Sequence, residues 1–168
     1  MKFSSQEEYG LRCLMEVGRC GPDASVTIPE ISRKEGLTEP YVAKLLMVLR
    51  RGGFINSTRG HSGGYALGRP ATAIVIGEVL AVLGGRLYED DFCDRHVGQL
   101  QTCTHASGCS IKSLWNRVQV AVDDVVNNIT LADILRDEGH QDLIQVRTSA
   151  PSRKDFQTDH IGGDPIPR

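Results

Sequence analysis

At 168 residues and a net charge of −2, the chain is long enough for one domain of ordinary size with its own core. It holds no run of about eighteen apolar residues, which excludes a membrane-spanning helix, and its opening Met1-Lys2-Phe3-Ser4-Ser5-Gln6-Glu7-Glu8 is acidic where a signal peptide is apolar. A cytoplasmic protein is expected, and five cysteines, an odd number, then point to metal or redox chemistry over a disulfide framework.

The charge is unevenly spread. Residues 1–70 carry ten Lys and Arg against seven Asp and Glu, whereas residues 71–140 carry five against ten. A basic first half suits a polyanionic partner.

Residues 6–20 place Tyr9, Leu11, Leu14, Met15 and Val17 near helical spacing and stop at Gly21-Pro22, which predicts a first helix. Cys13 and Cys20 fall within or at the end of it, as packing residues. Thr27 or Ser25 can cap a short second helix over Ile28–Lys34, with Ile28 and Ile31 turned inward and Gly36 ending it. Thr38 caps a third, with Pro40 tolerated in the first turn because that amide lacks an intrahelical acceptor anyway. Val42, Leu45, Leu46 and Leu49 form its buried stripe, Tyr41, Lys44, Arg50 and Arg51 are left outside, and Gly52-Gly53 closes it.

Two short strands follow, Phe54–Thr58 and Gly64–Leu67, joined by the glycine-rich Arg59-Gly60-His61-Ser62-Gly63. A fourth helix is expected over about 74–83, stopped by Gly84-Gly85. Beyond a polar loop, Ile111, Leu114, Val118, Val122, Val125 and Ile129 recur at spacings of three and four, with Trp115 and Val126 widening the stripe. This is a long amphipathic helix that either packs on its own domain or pairs with its twin. Thr130 caps a terminal turn, Leu131–Leu135, and from Gly139 the apolar period dissolves into what reads as a disordered tail.

Three short helices followed by a two-stranded ribbon is the plan of a winged helix. The fold class is therefore mainly α with a small β-hairpin wing: a winged helix-turn-helix over 1–70, then a loop and a long dimerisation helix over 71–137, and a tail over 138–168. Lys44, Arg50 and Arg51 can neutralise phosphates, and Tyr41 can donate to a phosphate or pack on a base edge. The loop carrying Arg59, His61, Ser62 and Gly63 lacks bulk, so its backbone can approach a phosphate or follow Arg59 into a narrow minor groove. Charge alone fits a solvated helix and an ordinary hairpin equally well; helix order, strand placement and the basic loop together select double-stranded DNA. A lone winged helix contacts too little DNA for specific binding, which favours a homodimer.

Cys93, Cys103 and Cys109 lie within seventeen residues of one polar loop, where side chains are free to converge. Three thiolates can grip a soft metal centre, and they suit an iron–sulfur cluster and zinc alike. No paired carboxylates, nucleophile–base arrangement or phosphate-cradling loop of standard form points to an enzyme.

The run Arg59-Gly60-His61-Ser62-Gly63-Gly64-Tyr65-Ala66-Leu67 resembles the wing signature of the Rrf-two family of transcription regulators, whose iron–sulfur sensing members include IscR, NsrR and RirA. The opening Phe3-Ser4 … Tyr9-Gly10-Leu11-Arg12, the stretch Tyr41-Val42-Ala43-Lys44-Leu45-Leu46 and the late Thr130-Leu131-Ala132-Asp133-Ile134-Leu135 match as well, so the likeness covers residues 1 to about 137. The resemblance implies a homodimer made by the long helix, and a two-iron or four-iron cluster held by Cys93, Cys103 and Cys109. Two departures stand out. Nine residues separate Cys93 from Cys103, a longer gap than in the best-known members, and Lys112 occupies the position of a histidine ligand in IscR-like proteins. The fourth ligand must then come from elsewhere. NsrR-like relatives imply a carboxylate from the partner's first helix, here Glu8, with Glu7, His96 and His105 as alternatives. Cluster state would tune operator affinity in response to nitric oxide, redox state or iron supply. The rival within the family is a cluster-free or zinc-binding regulator that responds through a partner protein or thiol oxidation.

Overall fold

The computed structural model describes residues 4–21, 24–58, 63–85 and 109–137. Helix α1 spans Ser5–Arg19 and opens with a reciprocal cap: Glu7 N donates to Ser4 Oγ at 3.2 Å and Ser4 N donates to Glu7 Oε2 at 2.7 Å. Helix α2, Ile28–Glu35, uses the same device with Thr27 and Glu30, so Thr27 rather than Ser25 is the cap. Gly36 ends it at a φ of 66°, in the left-handed region that a glycine enters without strain.

Helix α3 covers Glu39–Arg51. Thr38 stands at its N-cap position but its side chain makes no capping bond. Pro40 supplies a preset φ in the first turn, and Glu39 complements the helix dipole there. The stripe Val42, Leu45, Leu46 and Leu49 is wholly buried, as its spacing requires.

Strands β1, Ile55–Thr58, and β2, Gly64–Leu67, pair antiparallel in the register Ile55↔Leu67 to Thr58↔Gly64. Phe54 is not part of the strand. It turns into the core, with the Arg69 guanidinium 5.2 Å above its ring and Arg69 paired to Glu78. Val26 adds a third, one-residue rung through a bridge to Tyr65.

A 3₁₀ turn, Ala71–Ala73, leads to helix α4, Ile76–Leu83, which begins two residues later than its apolar period suggests. The reason is tertiary pairing. Val75 bridges Thr130, Ile76 N donates to Ile129 O at 2.9 Å, and Leu131 N donates to Ile74 O at 2.8 Å. The β-branched pair Ile74-Val75 satisfies its backbone against a distant segment instead of a helical turn.

Helix α5 runs Ser110–Asn127 and helix α6 runs Leu131–Asp137, two residues further than expected. Thr130 and Asp133 cap α6 reciprocally, with Thr130 Oγ1 donating to Asp133 Oδ2 at 2.6 Å. One core joins all of this: Leu14 and Val17 of α1, Ile31 of α2, the α3 stripe, Ile55, Ile74, Val79 of α4 and Leu131 of α6 are fully buried. Gly10 lets α1 and α4 close on each other, since a Cβ there would sit 2.5 Å from the buried Leu83 side chain. Among the described residues no helix is long and apolar enough to cross a membrane. The expected tail over 138–168 lies outside the described residues.

Candidate functional site

The first candidate surface is the outer face of α3 with the wing beside it. Lys44, Arg50 and Arg51 are exposed, as their positions off the buried stripe predict. Tyr41 is not simply left outside. It is half-buried, meeting the Tyr9 ring edge-on at 6.0 Å and 82°. Tyr9 in turn lies 5.4 Å beneath the Arg12 guanidinium, whose Nε bonds Glu35 Oε2 at 2.6 Å. A chain of contacts thus fixes α3 against α1 and α2. Glu16 adds to it: almost fully buried on α1, it pairs with Arg19 and with Lys34 of α2 at 2.8 Å. Met47 escaped the sequence reading. It sits in an otherwise core-like run, yet is 42 % exposed.

The wing is braced from within. Thr58 Oγ1 donates to Gly64 O at 3.2 Å and accepts from Gly64 N at 3.1 Å. Gly63 is exposed at the tip side, while Arg59, His61 and Ser62 lie outside the described residues.

The second candidate surface gathers around Cys109. This half-buried residue is the N-cap of α5, and its Sγ accepts from Lys112 N at 3.4 Å. Cys93, Cys103, His96 and His105 lie outside the described residues, so their approach to Cys109 is an expectation. Among the described residues no group of three or more His, Cys, Asp or Glu side chains converges as a metal site. Cys13 is wholly buried, and burial pushes its thiol up to about 12, which makes it a packing residue. Cys20 donates through Sγ to Glu16 O at 3.4 Å.

The two acidic candidates differ in surroundings. Glu7 is half-buried, spends its carboxylate on the Ser4 amide and packs over Gly84. Its neighbour Gln6 donates through Nε2 to Leu83 O, tying the start of α1 to the end of α4. Glu8 is exposed, and its side chain makes no hydrogen bond among the described residues; its charge acts on Arg12.

Helix α5 lies along α4 only through its second half. A crevice of about 350 Å³ is lined by Glu7, Gly85, Gln119, Asp123 and Val126, and Asn127 packs over Gly77. Gln119 is 5 % exposed, whereas every residue from Ser110 to Arg117 is exposed. At ~1.5 Å per residue, Cys109 stands ~15 Å along the helix axis from Gln119. Glu7 of α1 shares the crevice with Gln119 and the residues that follow it on α5.

Comparison with known proteins accounts for this architecture. A family model described as "Rrf2: Iron-dependent Transcriptional regulator" matches residues 3–137. The chain belongs to the Rrf2 family. It is 32 % identical over 137 residues to "Protein rrf2" of Nitratidesulfovibrio vulgaris, covering 82 % of this chain and 89 % of that one. The HTH-type transcriptional regulator IscR of Yersinia pseudotuberculosis is 30 % identical over 146 residues, with coverage of 87 % and 84 %. Among solved structures, T. potens IscR superposes with a TM-score of 0.68 at 30 % identity, covering 86 % of this chain and 93 % of that one. CymR (YrzC), the global cysteine regulator of B. subtilis, gives 0.67 at 27 % identity, with coverage of 82 % and 98 %. This Rrf2 protein is thus a transcription regulator of mostly helical, winged-helix fold with an antiparallel hairpin, similar to IscR.

Proposed function

We propose that this Rrf2 regulator is a cytoplasmic homodimer that binds double-stranded DNA with an affinity set by an iron–sulfur cluster, two-iron or four-iron. Cys93, Cys103 and Cys109 of one subunit and Glu8 of the partner subunit would hold it. The observation that carries the reading is Cys109 at the N-cap of α5, half a helix away from the Gln119 that shares a crevice with Glu7, the neighbour of Glu8. The donor set fits: a thiolate gains from the amide at the α5 N-terminus, and Glu8 has its carboxylate available. When bound, the cluster supplies one iron with a non-thiolate ligand that nitric oxide, oxygen, reduction or iron shortage displaces.

The overhanging half of α5 exposes Ile111, Leu114 and Trp115, an apolar strip that a second copy would cover. Pairing there sets the separation of the two α3 helices, which must meet half-sites about one turn, ~34 Å, apart. A carboxylate shared between subunits ties the cysteine loop of one to the DNA-binding head of the other. Small shifts then change operator affinity without any new DNA contact.

The test is an absorption spectrum with iron and sulfide content under argon, then after air and after nitric oxide, with a gel shift at each stage. A brown protein bleached by Cys103→Ala is expected. Mixing Cys103→Ala with Glu8→Ala subunits should restore part of the colour, since each mixed dimer regains one complete shared site; a site confined to one subunit regains none. Iron-free wild type with full responsive DNA binding would instead favour the second reading, thiol-based or partner-mediated control without a cluster. The likeness to the global cysteine regulator CymR supports keeping that reading.

A further inference from the structure

The exposed side of α3 carries two chemically different groups. Pro40, Lys44 and Met47, spaced by four and three, share one face of its first three turns, and all are exposed. Arg50 and Arg51 are exposed on the last turn, beside Gly52-Gly53 and the root of the wing. A recognition helix meets base edges with its N-terminal residues, and its far end lies over sugar and phosphate. Lys44 is therefore the cation in base-reading position, and it makes no hydrogen bond or ion pair among the described residues. One turn on, Met47 is exposed; the other exposed large apolar side chains among the described residues lie on α4 and α5. An unbranched thioether on that face suits an apolar patch on the groove floor.

We infer that Lys44 and Met47 are the base-reading pair: Lys44 donates to O6 and N7 of a guanine, and Met47 packs on the methyl group of a nearby thymine. Three helical residues advance ~4.5 Å along the axis against ~3.4 Å per base pair, so the two bases lie within one or two steps of each other. Arg50 and Arg51 grip phosphates and carry no sequence information. The inference rests on the DNA-binding reading above and adds which residues choose the operator.

The test enriches duplexes from a randomised library with the full-length wild type and with exposed-site variants whose melting curves match it. Wild type should select paired half-sites holding the guanine–thymine combination. Lys44→Gln should move the preference at that one position from guanine to adenine, because a side-chain amide matches N6 and N7 of adenine. It should also weaken the wild-type site by roughly tenfold to a hundredfold. Met47→Ala should relax the thymine alone. Arg50→Gln should select the wild-type motif and weaken all duplexes alike, lowering the salt slope by about one. Unchanged guanine preference in Lys44→Gln, or a new motif in Arg50→Gln, would overturn the assignment. A wild type that selects no motif would sink the DNA-binding reading itself, and the assignment with it.

Discussion

Replacing Gly64 by alanine should loosen the wing. Gly64 opens β2 against the segment before α2, where a Cβ would lie 2.8 Å from the Val26 carbonyl oxygen and 3.0 Å from Ser25 Oγ. Carbon–oxygen contacts of that kind settle at ~3.3–3.6 Å, so Val26 has to retreat by about half an ångström. Val26 holds Tyr65 through two backbone bonds, Val26 N to Tyr65 O at 3.0 Å and Tyr65 N to Val26 O at 2.8 Å. Losing both costs about 1 kcal/mol each, and crowding adds about 1 kcal/mol more. Alanine also restricts the unfolded chain, which offsets about 0.4–1 kcal/mol. The net loss is about 2 kcal/mol, a fall in Tm of about 8 °C for a domain of this size. Thermal melting followed by circular dichroism measures it, with Ser57→Ala on the exposed side of β1 as the control. Operator affinity, read by fluorescence anisotropy, should fall for Gly64→Ala and hold for the control under a displaced-wing account. Unchanged melting together with wild-type affinity would refute the reasoning, because the carbonyl would then have tolerated the methyl group in place.

Three further outcomes follow from the same packing. The Thr27 amide and hydroxyl hold the Glu30 carboxyl below its ordinary range, and the Thr130 hydroxyl and amide do the same to Asp133; stability from these caps is complete above the unfolded carboxyl range, near pH 4, and drains away as pH falls through the lower folded values. Melts from pH 7 to 3 should show that loss, shallower in Thr130→Ala, which also costs about 1 kcal/mol at neutral pH. Cys13, with its thiol pushed up to about 12, should resist iodoacetamide at pH 8 until denaturant is added, while Cys20 labels first; peptide mass spectrometry distinguishes them. Leu131→Ala removes a fully buried side chain at the start of α6 and should cost about 2–5 kcal/mol in chemical denaturation.

Helical spacing located α1, α2 and α3 to within a residue or two because their apolar stripes have a single core to enter, as the full burial of Val42, Leu45, Leu46 and Leu49 shows. The same rule misplaced the start of α4. Ile74 and Val75 fit a helical first turn locally, and only their pairing with Ile129–Leu131 makes them extended; no local pattern contains that partner. Tyr41 departs from its expected place outside for a related reason. Spacing sorts residues into inside and outside, but Tyr9 reaching across from α1 decides that Tyr41 is half covered. The glycine pair in the wing was legible as a motif, while the cause of one member, the Val26 carbonyl facing Gly64, belongs to the fold.

The choice between Glu7 and Glu8 shows what adjacency in sequence hides. Both acids favour the positive end of α1, so composition and dipole treat them alike. The cap separates them. A box closed by Ser4 requires its acid at the third helical position, which is Glu7, and that carboxylate then meets the Ser4 amide at 2.7 Å and covers Gly84. Recruiting Glu7 to a metal would uncap the helix and strip the contact at the end of α4. Glu8, about 100° around the helix, is exposed, and its removal leaves the cap intact. The cost of ligation therefore falls on Glu7 and spares Glu8, which is the physical ground for proposing Glu8 over Glu7 as the shared ligand.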